Sequence, residues 1–334
     1  MILVTGGTGL VGSHLLFKLV KENEKVRAIY RQKHKLDIVK RVFSFYDENV
    51  SELFNRIEWI KADVTDIPSL TEAFKDTTYV YHCAAFVSFE PDKYFSLRKT
   101  NIEGTANIVN LCLSNKINKL CYVSSVATLG KNENGGPITE DTHWNNDADN
   151  NVYAITKYGA EMEVWRGSQE GLNVVIVNPG VILGPGIWTH GSGSIIKRVN
   201  KGEPFYTCGS TGFVDVNDVV EAMISLMKSD VKTQRFVLVA ENWAYKNLLQ
   251  SIASLINVKP PQKEALKWQL QIAWRMDWLM SKLTGKRRRL TKQLSRTLVT
   301  ETKYSSDRYL EVFNKKFIPI EKSLKFTTQA FLDR

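Results

Sequence analysis

Thr5-Gly6-Gly7-Thr8-Gly9-Leu10-Val11-Gly12 follows the apolar run Ile2-Leu3-Val4 and opens a segment, Leu10–Lys21, with apolar residues at helical spacing. The stretch satisfies both GxGxxG (7, 9, 12) and GxxGxxG (6, 9, 12). Glycine serves there for a tight turn, for close backbone approach to a pyrophosphate, and for close packing of helix on strand. The helix start adds unpaired N–H groups and the positive end of its dipole. With a strand before it and an amphipathic helix after it, the stretch reads as a dinucleotide-binding turn.

Outward from this turn, short apolar runs alternate with helical patterns, the trace of βαβ units and a parallel sheet. Strands are expected at Ile2–Thr5, Val26–Arg31, Ile57–Ala62, Tyr79–Cys83, Lys119–Ser124 and Asn173–Asn178, and helices at Leu10–Lys21, Ile67–Lys75, Thr100–Asn115 and Val152–Gln169. The long connection Gln32–Arg56 is expected to hold short helices. Glycines 180, 184, 186, 191 and 193 predict a flexible loop region; a helix at Val216–Lys228 and a strand at Phe236–Val239 then return to the sheet. The expectation is an α/β, doubly wound parallel (Rossmann) sheet with a smaller interleaved C-terminal substrate domain. Residues 1–178 and about 213–240 would form the first, about 179–212 and 241–334 the second.

An NAD-binding turn is usually followed, roughly 20 residues on, by an acid that holds the ribose 2′-hydroxyl. Here that place reads Tyr30-Arg31-Gln32, with Lys33 and Lys35 beyond. A guanidinium pairs with a 2′-phosphate through two hydrogen bonds, so NADP(H) is preferred, with NAD(H) open. Asp63-Val64, past the third strand, falls where an adenine would be flanked. Tyr153 and Lys157 stand one helical turn apart. In a chain with 12 Tyr that spacing is expected by chance, so its place downstream of Val123-Ser124-Ser125 is what counts. A phenol of pKa about 10 is a poor base near neutrality, and a neighbouring ammonium is expected to lower it.

Taken together, the turn at 5–12, Asp63-Val64, Tyr81-His82-Cys83-Ala84-Ala85, Asn101-Ile102-Glu103-Gly104-Thr105, Tyr122-Val123-Ser124-Ser125, Tyr153–Lys157 and Asn178-Pro179-Gly180 resemble an extended short-chain dehydrogenase/reductase of the NAD-dependent epimerase/dehydratase superfamily. Val26–Arg31 is most similar to dihydroflavonol-reductase-like and 3β-hydroxysteroid-dehydrogenase-like members. The resemblance spans roughly residues 1–240. It implies Tyr153 as proton donor or acceptor, Lys157 as its electrostatic partner and a ribose ligand, Ser125 as the hydroxyl orienting the carbonyl, and Asn101 as a supporting asparagine. It implies Thr5, Gly6, Gly9, Leu10, Val11, Gly12, Arg31, Asp63, Val64, Ala84, Tyr153, Lys157 and Pro179 around the cofactor. The Asp-Glu pair of sugar dehydratases is replaced by Val126-Ala127, which disfavours dehydration.

The function expected is an NADP(H)-dependent oxidoreductase acting on a ketone or secondary alcohol, with a small-molecule substrate. Two alternatives stay open: a nucleotide-sugar epimerase holding NAD tightly, and a non-catalytic NADP-binding regulatory or scaffold protein. The presence of Ser125, Tyr153 and Lys157 argues against the last. Phe86, Val87, Ser88 and Phe89, and later Trp188, His190, Phe205 and Tyr206, are candidates for the substrate pocket; Phe86, Ser88, Trp188 and Tyr206 are carried forward. A homodimer through Thr100–Asn115 and Val152–Gln169 is plausible by resemblance.

The bulk numbers fit this frame. With 334 residues and 43% apolar content, the chain can bury a sizeable core, and no apolar run is long enough to span a bilayer. Met1 leads directly into an apolar strand with no signal-peptide pattern, and the four cysteines have no metal-ligand spacing, so a cytoplasmic protein without a metal is expected. Eleven Lys or Arg between 255 and 300, against Glu264 and Asp277, account for nearly all of the +10 charge. Nothing accompanies them that reads nucleic acid. Within that segment Leu266, Leu270, Trp274 and Trp278 recur every fourth residue, followed by Lys286-Arg287-Arg288-Arg289. The favoured expectation is a helix packed on its own domain with a solvated basic loop. Peripheral membrane contact through 266–296, or a lid, is the less favoured one.

Overall fold

The computed structural model describes residues 1–132, 135–285, 288 and 290–334, so Lys286, Arg287 and Arg289 of the basic run lie outside the described residues. Among the described residues twelve strands occur in chain order: β1 (Ile2–Thr5), β2 (Val26–Tyr30), β3 (Ile57–Lys61), β4 (Tyr79–His82), β5 (Lys119–Val123), β6 (Val174–Pro179), β7 (Val181–Leu183), β8 (Phe205–Tyr206), β9 (Ser210–Asp215), β10 (Gln234–Leu238), β11 (Glu241–Ala244) and β12 (Lys263–Glu264). Seven form one sheet in the order β10-β6-β5-β4-β1-β2-β3. Every pairing in it is parallel. The chain thus works outward from β1 in one direction and then from β4 in the other. The crevice between β1 and β4 is the topological switch point where such folds bind ligands.

Sequence patterning explains why the sheet is covered on both faces. β6 is a continuous Val174-Val175-Ile176-Val177 run with every residue buried, as expected of a central parallel strand. Helix Leu10–Lys21 buries Val11, Leu15, Leu16, Leu19 and Val20 and places Lys18 and Lys21 in its last turn, where they complement the dipole. The Gln32–Arg56 excursion holds helices Leu36–Ser44 and Val50–Asn55.

Several expectations need correction. The helix expected over Thr100–Asn115 begins instead as a π-helical turn, Arg98–Glu103, before helix Gly104–Ser114. Apolar periodicity does not register one residue of extra winding. Within the glycine-rich region, Val181–Leu183 is ordered as a strand parallel to β9, and Phe213–Asp215 belong to that small β11-β9-β7 sheet; the chain rejoins the large sheet through helix Val216–Lys228 and β10. Helix Lys267–Thr284 buries only Leu270. Its four-residue spacing explains why. Each step of four advances about 40° beyond a full turn, so Trp274 and Trp278 walk off the buried face. No helix among the described residues is long and apolar enough to cross a membrane, and no group of three His, Cys, Asp or Glu among them could hold a metal ion.

Candidate active site

The parallel register brings strand ends that are distant in sequence to one edge. His82 pairs with Thr5 on one side and Tyr122 on the other, so the turns after β1, β4 and β5 open side by side. At strand spacings of about 4.8 Å, the glycine turn and Ser124-Ser125 are about 10 Å apart along that edge.

The glycine turn is a cradle that side chains would fill. Gly6 has φ +69°, and a Cβ there would lie 2.6 Å from the backbone nitrogen of Ala84. A Cβ on Gly12 would run into the carbonyl of Gly6. Helix Leu10–Lys21 starts at Gly9 with no acidic residue in its first turn, leaving the N–H end suited to an anion. The backbone N–H of Ala84 donates to Thr5 Oγ1 (3.3 Å), tying the ends of β1 and β4. Val64 is buried and its carbonyl accepts from Asn107 (3.0 Å).

At the end of β2, Arg31 Nη1 lies 3.5 Å from Asp63 Oδ2, both side chains part-exposed. The other Asp63 oxygen accepts from the N–H and hydroxyl of Thr65, each at 2.9 Å. Burial works against ionisation of Asp63, but Thr65 and Arg31 prevail and hold its carboxyl below the usual carboxylate range. The guanidinium expected to await a 2′-phosphate therefore already faces an acid.

Around the phenol, the Ser125 side chain is close enough to Tyr153 to favour its ionised form. Ser125 also caps the short turn Val126–Thr128, accepting from the Ala127 N–H at 3.2 Å. The ring of Phe89 lies edge-on to Tyr153, with centroids 5.6 Å apart. Burial raises the Tyr153 pKa above its ordinary value, and the Ser125 contact pulls the other way. Lowering of the phenol by Lys157 is not what the structure gives. Lys157, 1% exposed, donates instead to the Tyr122 hydroxyl (2.5 Å) and the Val123 carbonyl (2.8 Å). Its burial pushes the ammonium down to about 7, opposed by the charge of Glu161.

Asn101 acts through its neighbours. Its Oδ1 accepts from the Phe86 N–H (2.7 Å), and its Nδ2 donates to the Phe86 carbonyl (3.0 Å) and to Thr156 Oγ1 (3.2 Å). It is a clamp on the loop after β4, presented by the π turn, rather than a group aimed at a reacting atom. Ser88 is 1% exposed with its hydroxyl 3.3 Å from Glu90, so it is turned into the protein. Trp188 packs against Phe331 (centroids 5.2 Å, near-perpendicular) in a cluster with Ile196 and Leu324, so its ring is used by the core. Tyr206 lies beneath the Lys246 ammonium (4.9 Å to the ring centroid). Phe86 is half-buried, and Pro179 ends β6 opposite Leu238.

Two features escape the sequence reading. One is a buried polar seam: Thr5 Oγ1 to His82 Nδ1 (2.6 Å), His82 Nε2 to Thr105 Oγ1 (3.0 Å), and the ring of Tyr122 stacked on His82, with its hydroxyl receiving Lys157. The second is Glu161, fully buried, whose Oε2 accepts from Ser124 (2.5 Å), Thr128 (2.8 Å) and Asn178 (2.9 Å) while Oε1 pairs with Arg235 (2.9 Å). It fixes the segment that carries Ser125. Its signal was available, since Glu161 is one helical turn beyond Lys157 on the same face.

Known proteins share this architecture. The model of the NAD dependent epimerase/dehydratase family matches residues 2–239. A dihydroflavonol 4-reductase from Callistephus chinensis is 27% identical over 276 residues, covering 78% of this chain and 73% of that protein. The crystal structure of gox2253 superposes with a TM-score of 0.80 at 24% identity, covering 100% and 98% of the two chains. The UDP-glucose 4-epimerase of Thermus thermophilus, solved in complex with NAD, does so with 0.75 at 18% identity, covering 99% and 98%. A seven-stranded sheet with its glycine cradle at the switch point, matched by the family pattern over most of its length, makes this chain an enzyme of the NAD-dependent epimerase/dehydratase family.

Proposed function

We propose that the enzyme transfers hydride between NADP(H) and a ketone or secondary alcohol, with Tyr153 as the acid–base group. The observation that carries this reading is the neighbouring Ser125 and Tyr153, two strands along the sheet edge from the glycine cradle, with Val126-Ala127 where a dehydratase would need carboxylates. Thr5, Gly6, Gly9, Leu10, Val11 and Gly12 would cradle the pyrophosphate, where side chains would clash and no acid repels it. Val64, Ala84 and Pro179 would line the rest of the dinucleotide.

When bound, the nicotinamide ring supplies or accepts the hydride. Tyr153 Oη–H gives its proton to the substrate oxygen as negative charge develops there. Ser125 hydrogen-bonds the same oxygen, and both help most because they are arranged before the charge forms. The raised Tyr153 pKa keeps the phenol protonated near neutrality, which suits it to donate in the reducing direction. Lys157 has two acceptors fixed by β5, and an ammonium has a third N–H to offer a ribose hydroxyl or the phenol oxygen.

Arg31 supports NADP(H), because a 2′-phosphate would offer it a dianion in place of Asp63. The Arg31–Asp63 pair also favours a second reading: Asp63 could serve a ribose 2′-hydroxyl, as in an epimerase that holds NAD. Purified enzyme should bind NADPH at least roughly tenfold more tightly than NADH and oxidise it with a panel of hydrophobic ketones and aldehydes. Stoichiometric NAD carried through purification, with no net NADPH consumption, would replace this reading with the epimerase one.

A further inference from the structure

Helix Lys267–Thr284 presents its apolar side to solvent. Trp268, Ile272, Met276, Leu279 and Leu283 recur at i, i+4, i+8, i+11 and i+15, which places them within an arc of about 80°. Their exposures run from 50% for Ile272 to 73% for Leu283, and Met280 widens the face. Leu270, the one buried residue, points about 160° away from the centre of that arc. Isolated exposed apolar residues need no explanation, but a contiguous stripe along an 18-residue helix does.

Charge selects what covers it. Arg275 and Lys282, both exposed, line one shoulder of the stripe. The single carboxylate of the helix, Asp277, lies on the other side, accepting from the Leu290 N–H (3.2 Å) and 3.8 Å from the Arg288 guanidinium. Beyond the helix the sequence continues with the basic run 286–289 and then Lys292 and Arg296. An apolar stripe with Trp, bordered by cations on one side and no outward acid, matches the boundary between acyl chains and anionic headgroups. A second copy laid on the same face would add an equal excess of positive charge. We propose that this helix docks the enzyme on an anionic phospholipid bilayer, lying in the interface along about 27 Å of its length.

The placement has a direction. Just past the helix, the Arg288 N–H is bonded to Glu90 (3.3 Å), in the loop whose Phe89 touches Tyr153. Val87 and Phe95 on the neighbouring segment are also exposed. Docking through the helix would bring the loop beside Tyr153 to the membrane surface.

Co-sedimentation of the full chain with vesicles tests this without any assay of turnover. Vesicles of equal parts phosphatidylcholine and phosphatidylglycerol should pellet the protein, pure phosphatidylcholine vesicles should not, and high salt should release it. Ile272→Ser/Met276→Ser and, separately, Arg275→Glu/Lys282→Glu should each weaken binding at least roughly tenfold with unchanged circular dichroism. Trp emission should shift to the blue on binding. Failure of the native protein to bind the anionic vesicles overturns the proposal, and so does binding that survives both double substitutions. A dimer in solution that Ile272→Ser/Met276→Ser dissolves, with no vesicle binding, overturns it in favour of a second copy.

Discussion

Helices Val152–Gln169 and Lys267–Thr284 are both 18 residues long, and they use their side chains in opposite ways. The first buries Lys157 and Glu161 along with Ala160 and Val164; the second leaves two tryptophans and a row of Met, Leu and Ile in solvent and buries Leu270 alone. Hydropathy therefore does not decide burial here; available partners do. Each buried charge on the first helix meets fixed acceptors or donors from β5, β6 and β10, and so can be buried where chemistry needs it. The second has no apolar surface from the described residues laid over its stripe.

The contrast can be broken at several points. The largest effect is expected at Tyr153. Tyr153→Phe should lower kcat by about 10²–10⁴-fold while leaving the dinucleotide Kd within about twofold, as read by steady-state rates and fluorescence titration. A loss below tenfold would remove Tyr153 from the acid–base role. Next comes Glu161→Leu, which takes the carboxylate away from Arg235 and from three polar donors. Urea unfolding should show a loss of about 3–5 kcal/mol, and a loss under 1 kcal/mol would mean that Glu161 does not hold the Ser124–Thr128 segment.

A third test uses pH. Lys157 sits near 7 in the folded protein against an ordinary 10.5. Between those values the unfolded chain binds more protons, so stability of the ligand-free enzyme should rise with pH by up to about 1.4 kcal/mol per unit. Lys157→Met should remove that rise; an identical slope in the variant would disprove the buried-ammonium picture. The smallest effect is expected on the second helix, where Ile272→Ser should change stability by no more than about 0.5 kcal/mol. The matching change on the first helix, Val164→Ser in a fully buried position, should cost several times as much.

The sheet and its glycine turn were legible because their signals are local: apolar runs of strand length, a helix with one apolar face, and glycines where Cβ atoms collide. Helices Leu10–Lys21 and Val152–Gln169 agree with the expected bounds to the residue, and a third lies at Val216–Lys228, about where it was expected. What was not legible depends on neighbours across the sheet. Nothing near Tyr122 in sequence says that its hydroxyl receives Lys157, and nothing near Asn101 announces the π turn that aims it at Phe86. Arg31 and Asp63 were each readable as cofactor ligands, but not as partners of each other. Trp188, attractive as an aromatic in a loop, was claimed by Phe331, 143 positions further along.

His82 leaves one consequence. Burial drives its imidazole down to about 3, so it is neutral at ordinary pH and one ring nitrogen carries the hydrogen. The neutral ring gives one hydrogen bond and receives one, and Thr5 Oγ1 and Thr105 Oγ1 stand in place for the two. A second hydrogen would set an uncompensated charge in the dry seam that joins β1 to β4, so strong acid should loosen the sheet there before it disturbs the Val-rich centre.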